Sequence, residues 1–528
     1  MVTGTANLGR GKGAVAAGDS LTAQAAADIL RDGGNAFDAA LGAMCAATVA
    51  EPVLASFGGG GFLLARPADE APRLFDFFAQ TPKQGPSPDG RDFYPIVADF
   101  GAAQQEFHIG LGSMAVPGLP HGLFRVHGEL GHMPLNRLIE PALAVARDGY
   151  DLTPFQEYLF SVVGPIYTAT EGARALFATQ GPSGRLLAAG DRFRNPETAD
   201  FLDALVREGP RLFYEGDVAR RIVEDCVAGG GSLTAEDLAG YRTEVRAPLA
   251  VDFGRATVLT NAPPSSGGLL IAFALKLLEG AEGLRGAWGD QAHLTALARA
   301  MAVTDGARRD LSNGGGGGDL AGLLDPAAMD GFRKAFLDHP QVRRGTTHIS
   351  VIDGMDNACA LTLSNGEGAG YVVPGTGVMM NNMLGEEDIN PQGFDRWPLD
   401  VRLGSMMAPT AVETAERLIV LGSGGSNRIR TAVLQVIVNL LAFDMTASEA
   451  VAAPRIHVER GHLDMEPGWP EATAVFDDFP DHRVWPERNL FFGGVHMAAL
   501  ETGGGEAIGG MAAAGDGRRA GCAIVLEG

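Results

Sequence analysis

A glycine–threonine pair in the last third of the chain constrains the fold more than any other feature. Gly345-Thr346 stands at the head of a strand-like stretch, Thr347–Asp353, and a second such stretch, Ala358–Ser364, follows it. Gly354–Asn357 lies between them, which predicts an antiparallel hairpin with this segment as its turn. Five consecutive glycines, Gly314–Gly318, lie upstream and predict a flexible surface loop. A threonine between such a loop and such a strand fits a self-cleavage site.

Cleavage of the Gly345–Thr346 bond would give Thr346 a free α-amine beside its own hydroxyl. A threonine hydroxyl is a weak nucleophile, but an α-amine with a pKa of about 7.7–8.0 can accept its proton near neutral pH. This pairing activates a nucleophile without histidine. Two threonines are also ordinary residues for a strand, and this segment alone does not separate the two interpretations.

A second glycine-rich segment, Leu421–Arg428, joins a short apolar stretch to a predicted helix. Backbone amides at such a junction can point at an anion. Paired amides there would form an oxyanion hole for a tetrahedral intermediate. The segment lacks the Gly-Lys-Ser/Thr ending of a nucleotide P-loop, which argues against phosphate binding.

The rest of the chain predicts helices on both sides of strands. Apolar spacing and capping residues predict helices over 20–32, 36–48, 135–147, 199–207, 292–307 and 428–443, a last helical turn over 332–337, and strands over 62–65, 378–382 and 418–422. The middle third, 117–310, is predicted to be largely helical. This order suggests sheet structure between helical layers.

Composition excludes several function classes. The 41 basic and 64 acidic residues give a net charge of −23, which argues against nucleic acid and anionic lipid as partners. The four cysteines, Cys45, Cys226, Cys359 and Cys522, have neither zinc-site nor disulfide-framework spacing. We expect no cofactor and no metal. No secretory signal and no apolar run of about 20 residues is present, so we expect a cytoplasmic protein without membrane association.

Taken together, a series of motifs makes the chain resemble the γ-glutamyltransferase family of N-terminal-nucleophile hydrolases. The motifs run nearly end to end: Gly33-Gly-Asn-Ala-Phe-Asp-Ala39, Gly58-Gly-Gly-Gly-Phe62, Ala115-Val-Pro-Gly118, Pro263-Pro-Ser-Ser-Gly-Gly268, Thr346-Thr-His348, Asn381-Asn382, Gly404-Ser-Met406 with Pro409-Thr410, and Gly422-Ser-Gly-Gly-Ser426. The resemblance implies an αββα sandwich, an α/β fold built jointly by two chains of one precursor. Those chains would be 1–345, mostly helical, and 346–528, which begins with the nucleophile.

The resemblance also implies roles for individual residues. Thr346 would be the processing site and the nucleophile, and Ser364 would replace a threonine whose hydroxyl steadies it. Gly424 and Gly425 match the oxyanion-hole pair. The implied substrate contacts are Ser405 for the carboxylate, Glu386 for the α-amine, and Asn365. His348 is interpreted as noncatalytic, and Arg518-Arg519 as an ion-paired turn at the surface or between chains and not as a substrate contact.

Three departures from the family cluster on one pocket. Phe78 stands where the family has an arginine that grips the substrate α-carboxylate, Gly404 replaces the first of two serines, and Met383 replaces a glutamine. A charged hydrogen bond contributes about 1.5–3 kcal/mol, so loss of the arginine predicts weakening of roughly 10–150-fold.

The leading hypothesis is therefore a self-cleaving enzyme that passes a γ-glutamyl or related acyl group from a small amide to water or an amine. A non-glutamyl acylase or small-amide hydrolase with the same machinery is the first alternative. An unprocessed scaffold homologue is the second. Whether the chain forms a homo-oligomer is left open.

Overall fold

The computed structural model describes residues 11–86, 90–99, 104–181, 184–313, 324, 345–387, 389–390, 393–394, 396–501 and 510–528. The predicted loop at Gly314–Gly318 and the helical turn at 332–337 lie outside these residues.

The strands of the described residues, β1 to β22 in chain order, are Gly13–Ala17, Gly60–Arg66, Arg73–Phe77, Tyr94–Asp99, Gln104–Ile109, Tyr150–Asp151, Arg192–Phe193, Glu244–Arg246, Leu249–Phe253, Ala256–Thr260, Thr347–Asp353, Ala358–Ser364, Val372–Val373, Val378–Met379, Thr410–Glu413, Arg417–Gly424, Ile456–Glu459, His462–Met465, His482–Val484, Gly494–Glu501, Met511–Ala514 and Cys522–Leu526.

The α-helices of the same residues, α1 to α16, are Ser20–Arg31, Ala36–Ala50, Leu119–Leu130, Leu135–Leu138, Glu140–Asp148, Pro154–Val162, Gly164–Tyr167, Glu171–Phe177, Pro196–Glu208, Arg211–Tyr214, Asp217–Gly229, Ala235–Gly240, Gly267–Leu278, Gln291–Asn313, Arg428–Ala442 and Ala447–Ala452.

Two antiparallel sheets stack face to face at the centre of the molecule. The first has the order β22-β1-β11-β12-β2-β3-β8, and the second has the order β21-β20-β16-β15-β10-β9. Ile352 of β11 and Val420 of β16 belong to the apolar core between the sheets. The opposite face of β11, with Ile349 and Val351, packs with α1 and α2. Helices α13 and α15 pack on the second sheet, which completes the αββα sandwich that the family resemblance implies.

Helix α2 shows how the sequence builds the outer layer. Asn35 caps it in a capping box with Asp38, and all fifteen residues of the helix are buried. Most of these residues are alanine or another small apolar residue, so the helix can lie close to the first sheet and to α1. The glycine cradle Gly58–Gly61 then runs into β2, where a Cβ on Gly59, Gly60 or Gly61 would collide with neighbouring backbone.

The hairpin predicted around the glycine–threonine pair is confirmed. Strands β11 and β12 pair from Thr347 opposite Leu363 to Ile352 opposite Ala358. The prediction that the middle third is largely helical is confirmed, but it missed the strands β6 to β10, of which β9 and β10 belong to the second sheet. The strand predicted over 378–382 is shorter, because only Val378–Met379 pairs as a strand. In the described residues no helix is long and apolar enough to span a bilayer.

Candidate active site

The Gly345–Thr346 peptide bond lies at the entrance to β11, next to the end of β12. Thr346 and Ser364 are both buried. The Gly345 carbonyl oxygen accepts a hydrogen bond from Thr346 Oγ1 at 2.7 Å and another from Ser364 Oγ at 2.5 Å. The Gly366 N–H donates to Ser364 Oγ at 3.1 Å and fixes that hydroxyl. Two hydroxyls therefore polarise the carbonyl of the bond that the sequence marks for cleavage.

Gly345 has a backbone conformation that only glycine adopts easily. Its φ is +134°, and a Cβ there would collide with the Gly366 carbonyl oxygen and lie 2.9 Å from Glu367 Oε1. The glycine before the threonine is therefore required by close packing as well as by φ. Glu367, which is buried, lies directly beside the acyl side of the Gly345–Thr346 bond.

The end of β16 lies against Thr346. A Cβ on Gly424 would collide with the Thr346 carbonyl oxygen, so glycine allows this contact. Gly425 follows with a φ of +123°. Ser423 Oγ accepts from the Gly494 N–H at 3.0 Å and donates to the Gly424 carbonyl oxygen at 2.7 Å, which fixes the strand end. Gly424 therefore lies against the backbone of Thr346, and Gly425 lies against Gly493 and Arg519.

The ion pairing predicted for the Arg518-Arg519 turn is confirmed for Arg518, but its predicted location at the surface or between chains is wrong. Both side chains are buried, because the turn folds inward against β16 and β20. Arg518 pairs with Glu466 at 2.5 Å and with Asp516 at 3.2 Å. Arg519 Nη1 donates to the Thr346 carbonyl oxygen at 3.1 Å. A positive charge therefore lies beside the residue expected to act as nucleophile.

His348 has structural hydrogen bonds on both ring nitrogens. Nδ1 lies 2.8 Å from Thr362 Oγ1, and Nε2 lies 3.0 Å from Ser350 Oγ. Complete burial, with a further contribution from His496, holds the pKa of His348 well below its usual value. A neutral imidazole between two hydroxyls packs between the sheets and supports the interpretation of His348 as noncatalytic.

A buried carboxyl group supports the same strand from the helical side. Glu51, at the end of α2, accepts from Thr347 Oγ1 at 2.5 Å and from Thr22 Oγ1 at 2.8 Å. Burial and the neighbouring charge of Asp19 raise the pKa of Glu51 to about 7, although the two threonine hydroxyls oppose this shift. A Cβ on Gly18 would lie 2.6 Å from both Glu51 Oε2 and Thr347 Oγ1, so the contact depends on that glycine.

Of the predicted substrate contacts, Glu386 and Asn365 lie near the cleavage site. A Cβ on Gly366 would collide with both Asn382 Oδ1 and Glu386 Oε1. Asn382 Oδ1 also accepts from the Glu367 N–H at 2.8 Å. Asn365 is fully buried directly before Gly366, and neither its Oδ1 nor its Nδ2 has a hydrogen-bond partner.

Ser405 and Phe78, the other two residues expected in the substrate pocket, have different neighbours from Glu386 and Asn365. The Ser405 carbonyl oxygen accepts from the Ser266 and Gly267 N–H groups at the start of α13, and its Oγ accepts from the Met407 N–H at 3.1 Å. The Phe78 ring is 1% exposed and stacks on Phe62 at 5.4 Å between ring centroids. Its ring therefore lies in the core between the sheets, and only its backbone reaches the glycine cradle, against Gly60.

Sequence reasoning missed three residues that contact this site: Glu51, Glu367 and Arg519. Glu367 had a detectable signal, since it is an acidic residue in a glycine-rich turn directly after β12. Glu51 ends α2 and Arg519 lies between β21 and β22, so both are distant in sequence from Thr346, and only the tertiary packing brings them to Thr347 and Thr346. In the described part of the chain no group of three or more His, Cys, Asp and Glu side chains is arranged to hold a metal ion.

The fold is an αββα sandwich, and a threonine hydroxyl lies at the head of a central strand, directly behind a peptide bond whose cleavage would free the α-amine of that threonine. These features are those of the N-terminal-nucleophile hydrolases. Comparison with known proteins identifies the family. The gamma-glutamyltranspeptidase family model matches residues 22–526, and the chain belongs to that family.

Two groups of relatives share this similarity. The chain is 32% identical to the acylase ACY 1 proenzyme of Pseudomonas sp. (strain V22) over 486 residues, which cover 88% of this chain and 85% of the relative. It is 30% identical to the glutathione hydrolase proenzyme of Escherichia coli (strain K12) over 488 residues, with 84% and 81% covered. The solved structure of cephalosporin acylase from Bacillus halodurans superimposes with a TM-score of 0.83 at 24% identity, over 99% of this chain and 97% of that one, and confirms the fold.

Proposed function

We propose that the chain cleaves itself between Gly345 and Thr346 and then uses Thr346 to transfer an acyl group from a small amide to water or an amine. The observation that carries this proposal is the pair of hydroxyl groups on the Gly345 carbonyl oxygen, Thr346 Oγ1 at 2.7 Å and Ser364 Oγ at 2.5 Å. A hydroxyl this close to the carbonyl of its own preceding residue is within reach for an intramolecular attack.

Processing then takes two steps. Thr346 Oγ attacks the Gly345 carbonyl carbon, the C–N bond breaks, and the nitrogen takes the hydroxyl proton, which leaves an ester between Gly345 and Thr346 Oγ. Water hydrolyses that ester, which releases the Gly345 carboxylate and restores the hydroxyl. The products are 1–345 and 346–528, and Thr346 now carries a free α-amine.

In turnover the α-amine of Thr346 takes the proton of its own hydroxyl as the oxygen attacks the substrate amide. The amide N–H groups of Gly424 and Gly425 are proposed to stabilise the oxyanion, where each donor is typically worth about 2.7–4 kcal/mol. The leaving amine takes the proton, and an acyl-enzyme ester remains on Thr346. Water or an acceptor amine then releases the acyl group.

Two kinds of acyl group are candidates for the transferred group. A γ-glutamyl group is the family default, with Glu386, Asn365 and Ser405 as proposed contacts. A different acyl group is the second candidate, because Phe78 replaces the expected arginine and its ring lies in the core. The similarity to the acylase ACY 1 proenzyme also supports this second candidate.

Intact-mass spectrometry of the purified chain, before and after incubation with γ-glutamyl-p-nitroanilide, tests the proposal. Wild type should give two chains of roughly 36 and 19 kDa, in proportion to 345 and 183 of the 528 residues of this 55.0 kDa protein. Thr346→Ala should stay intact, and Thr346→Ser should process more slowly to the same boundary.

Release of nitroaniline, with the acyl group trapped on the chain that begins at Thr346, would support γ-glutamyl chemistry. Processing without release would favour the other acyl candidate. A single uncleaved wild-type chain would overturn the proposal and favour the scaffold alternative. We expect cell fractionation to find the chain in the cytoplasm. Light scattering measures whether it forms a homo-oligomer.

A further inference from the structure

The turn that joins β16 to α15 has an unusual backbone conformation. Gly425 has a φ of +123°, and the next residue, Ser426, has a φ of +50°. A positive φ is costly for a residue that carries a side chain, and such a residue keeps it only where the surrounding structure fixes it. The shape of this turn therefore depends on the contacts at its two ends.

Each end of the turn has its own anchor. On the strand side the anchor is the Ser423 hydroxyl described above. On the helix side the Arg428 N–H donates to the Gly425 carbonyl oxygen at 3.1 Å. The Ile429 N–H donates to the Ser426 carbonyl oxygen at 2.9 Å. The first turn of α15 therefore fixes the backbone of Gly425.

Asn427 ties the start of α15 to a buried carboxylate. Its Nδ2 donates to Glu459 Oε1 at 2.8 Å, and both side chains are almost fully buried. Glu459 is the last residue of β17, in the three-stranded sheet β17-β18-β19. A paired strand thus holds the residue that directly follows Ser426.

The carboxylate of Glu459 is itself held by charged and polar neighbours. Arg308 Nη2, from α14, lies 3.2 Å from Glu459 Oε1 and 3.0 Å from Asp305 Oδ1. His457 Nε2 lies 3.3 Å from Glu459 Oε2. Burial opposes the charge of this carboxylate, but hydrogen bonding to His457 and the positive charges of Arg308 and Arg428 lower its pKa below the usual value. A buried ionised acceptor holds its donor more strongly than a neutral one.

We propose that Glu459 is a positioning residue of the active site, which sets the position of the Gly425 amide through Asn427. The carboxylate fixes Asn427, Asn427 fixes the first turn of α15, and that turn fixes Gly425. This inference rests on the proposed function, since it assumes that the Gly425 N–H stabilises the oxyanion. An amide that points away from the oxyanion slows the chemical step and leaves ground-state binding nearly unchanged.

Exchange of the two side chains tests the inference. Asn427→Asp keeps the shape of the side chain, removes the donor and places a second carboxylate against Glu459. Glu459→Gln in that background supplies an Nε2–H donor, so that the hydrogen bond forms again in the opposite direction. Glu459→Gln alone leaves a neutral acceptor for Asn427 and is the mild variant.

The readout is acylation of the self-processed enzyme by p-nitrophenyl acetate, a small activated ester, measured by stopped flow with the rate of Thr346→Ala subtracted. We expect the acylation rate constant to fall roughly 10-fold or more in Asn427→Asp and roughly 3–10-fold in Glu459→Gln. The ester concentration at half-saturation should stay within about 2-fold of wild type. Glu459→Gln added to Asn427→Asp should instead raise the rate constant, by roughly 10-fold or more.

Asp464→Asn is the matched control. Asp464 is a buried carboxylate on β18, beside β17, and it accepts from Trp485 Nε1 at 2.8 Å. Its substitution should lower the melting temperature and leave the acylation rate constant unchanged, which separates a loss of stability from a loss of position. Each rate constant is measured below the melting temperature of its variant.

The outcomes separate this inference from the function on which it rests. A change of sign in the effect of Glu459→Gln between the two backgrounds would support the inference. If Asn427→Asp does not mature, the same change of sign is read by intact mass, because the double variant should then recover cleavage. Losses that combine without rescue, or rate constants equal to that of wild type, would overturn the inference and leave the proposed function in place. Absence of Thr346-dependent acylation in wild type would overturn the proposed function itself.

Discussion

At the scale of single residues, the contact between Arg519 and Thr346 gives a prediction about pH. The guanidinium bound to the Thr346 carbonyl places a positive charge near the α-amine that processing would free, and this charge disfavours the ammonium form. Arg519→Met should therefore raise the pKa of that amine and move the acid limb of kcat/KM to higher pH, with kcat lowered roughly 10–150-fold. Arg519→Lys keeps the charge and should keep the limb in place. Identical pH profiles for wild type and Arg519→Met would contradict this role.

Glu51 gives a second prediction at this scale, about stability. Burial raises the pKa of Glu51 to about 7 from its ordinary value of 4.5, so the folded state binds the proton of this carboxyl group more tightly than the unfolded state does. The stability that this proton contributes is complete below about pH 4.5 and is lost as the pH rises towards 7, on the order of 3 kcal/mol in all. Glu51→Gln should lack this loss. Urea unfolding of uncleaved Thr346→Ala chains with and without Glu51→Gln, from pH 4.5 to 7.5, measures it. Burial also raises the pKa of Asp19, which titrates in both of these variants. Parallel curves of unfolding free energy against pH for the two variants would contradict the prediction.

At the scale of elements, the approach of β16 to the head of β11 depends on Gly424. A Cβ there would collide with the Thr346 carbonyl oxygen and lie 2.8 Å from Arg519 Nη1. Gly424→Ala should therefore push the strand end away, with a loss of 100-fold or more in kcat if the adjacent amides form the oxyanion hole. Gly517→Ala, where a Cβ meets nothing within 4 Å, is the matched control. If Gly424→Ala released nitroaniline at the wild-type rate, the end of β16 would not be part of the active site.

The same elements explain how far sequence reasoning could reach. The hairpin of β11 and β12 was predictable because its signals are local: alternation, a turn, and a glycine before the first threonine. The site residues Ser364, Gly424 and Glu386 came from motif resemblance. Arg519 was misread because a charged pair in a turn usually faces water, whereas here Glu466 and Asp516 neutralise Arg518 and carry the whole turn inward. Strands β9 and β10 form a local hairpin that the sequence analysis missed, and only the other edge of β10 has a partner distant in sequence, β15.

At the scale of the whole molecule, the two segments on either side of Thr346 are interleaved in both sheets. Strand β1, from the first segment, lies between β22 and β11, which both belong to the second, and β10 of the first pairs with β15 of the second. A buried ion pair of Asp305 on α14 with Arg430 on α15, at 3.2 Å, adds a further link. Separation of the chains would break the sheet hydrogen bonds of β1 and β10 and the buried contact between Asp305 and Arg430.

We therefore expect the processed chains to stay together until they unfold. On gel filtration both bands should co-elute, and thermal unfolding should give one transition in which both chains lose structure together. Residues 346–528 expressed alone should be insoluble or unfolded, because β11 would lack β1 and β15 would lack β10 along their edges. Co-expression with 1–345 should restore a soluble complex. A soluble, folded 346–528 segment on its own would show that the sheets do not need both chains, and the joint fold would then be a consequence of synthesis as one precursor only.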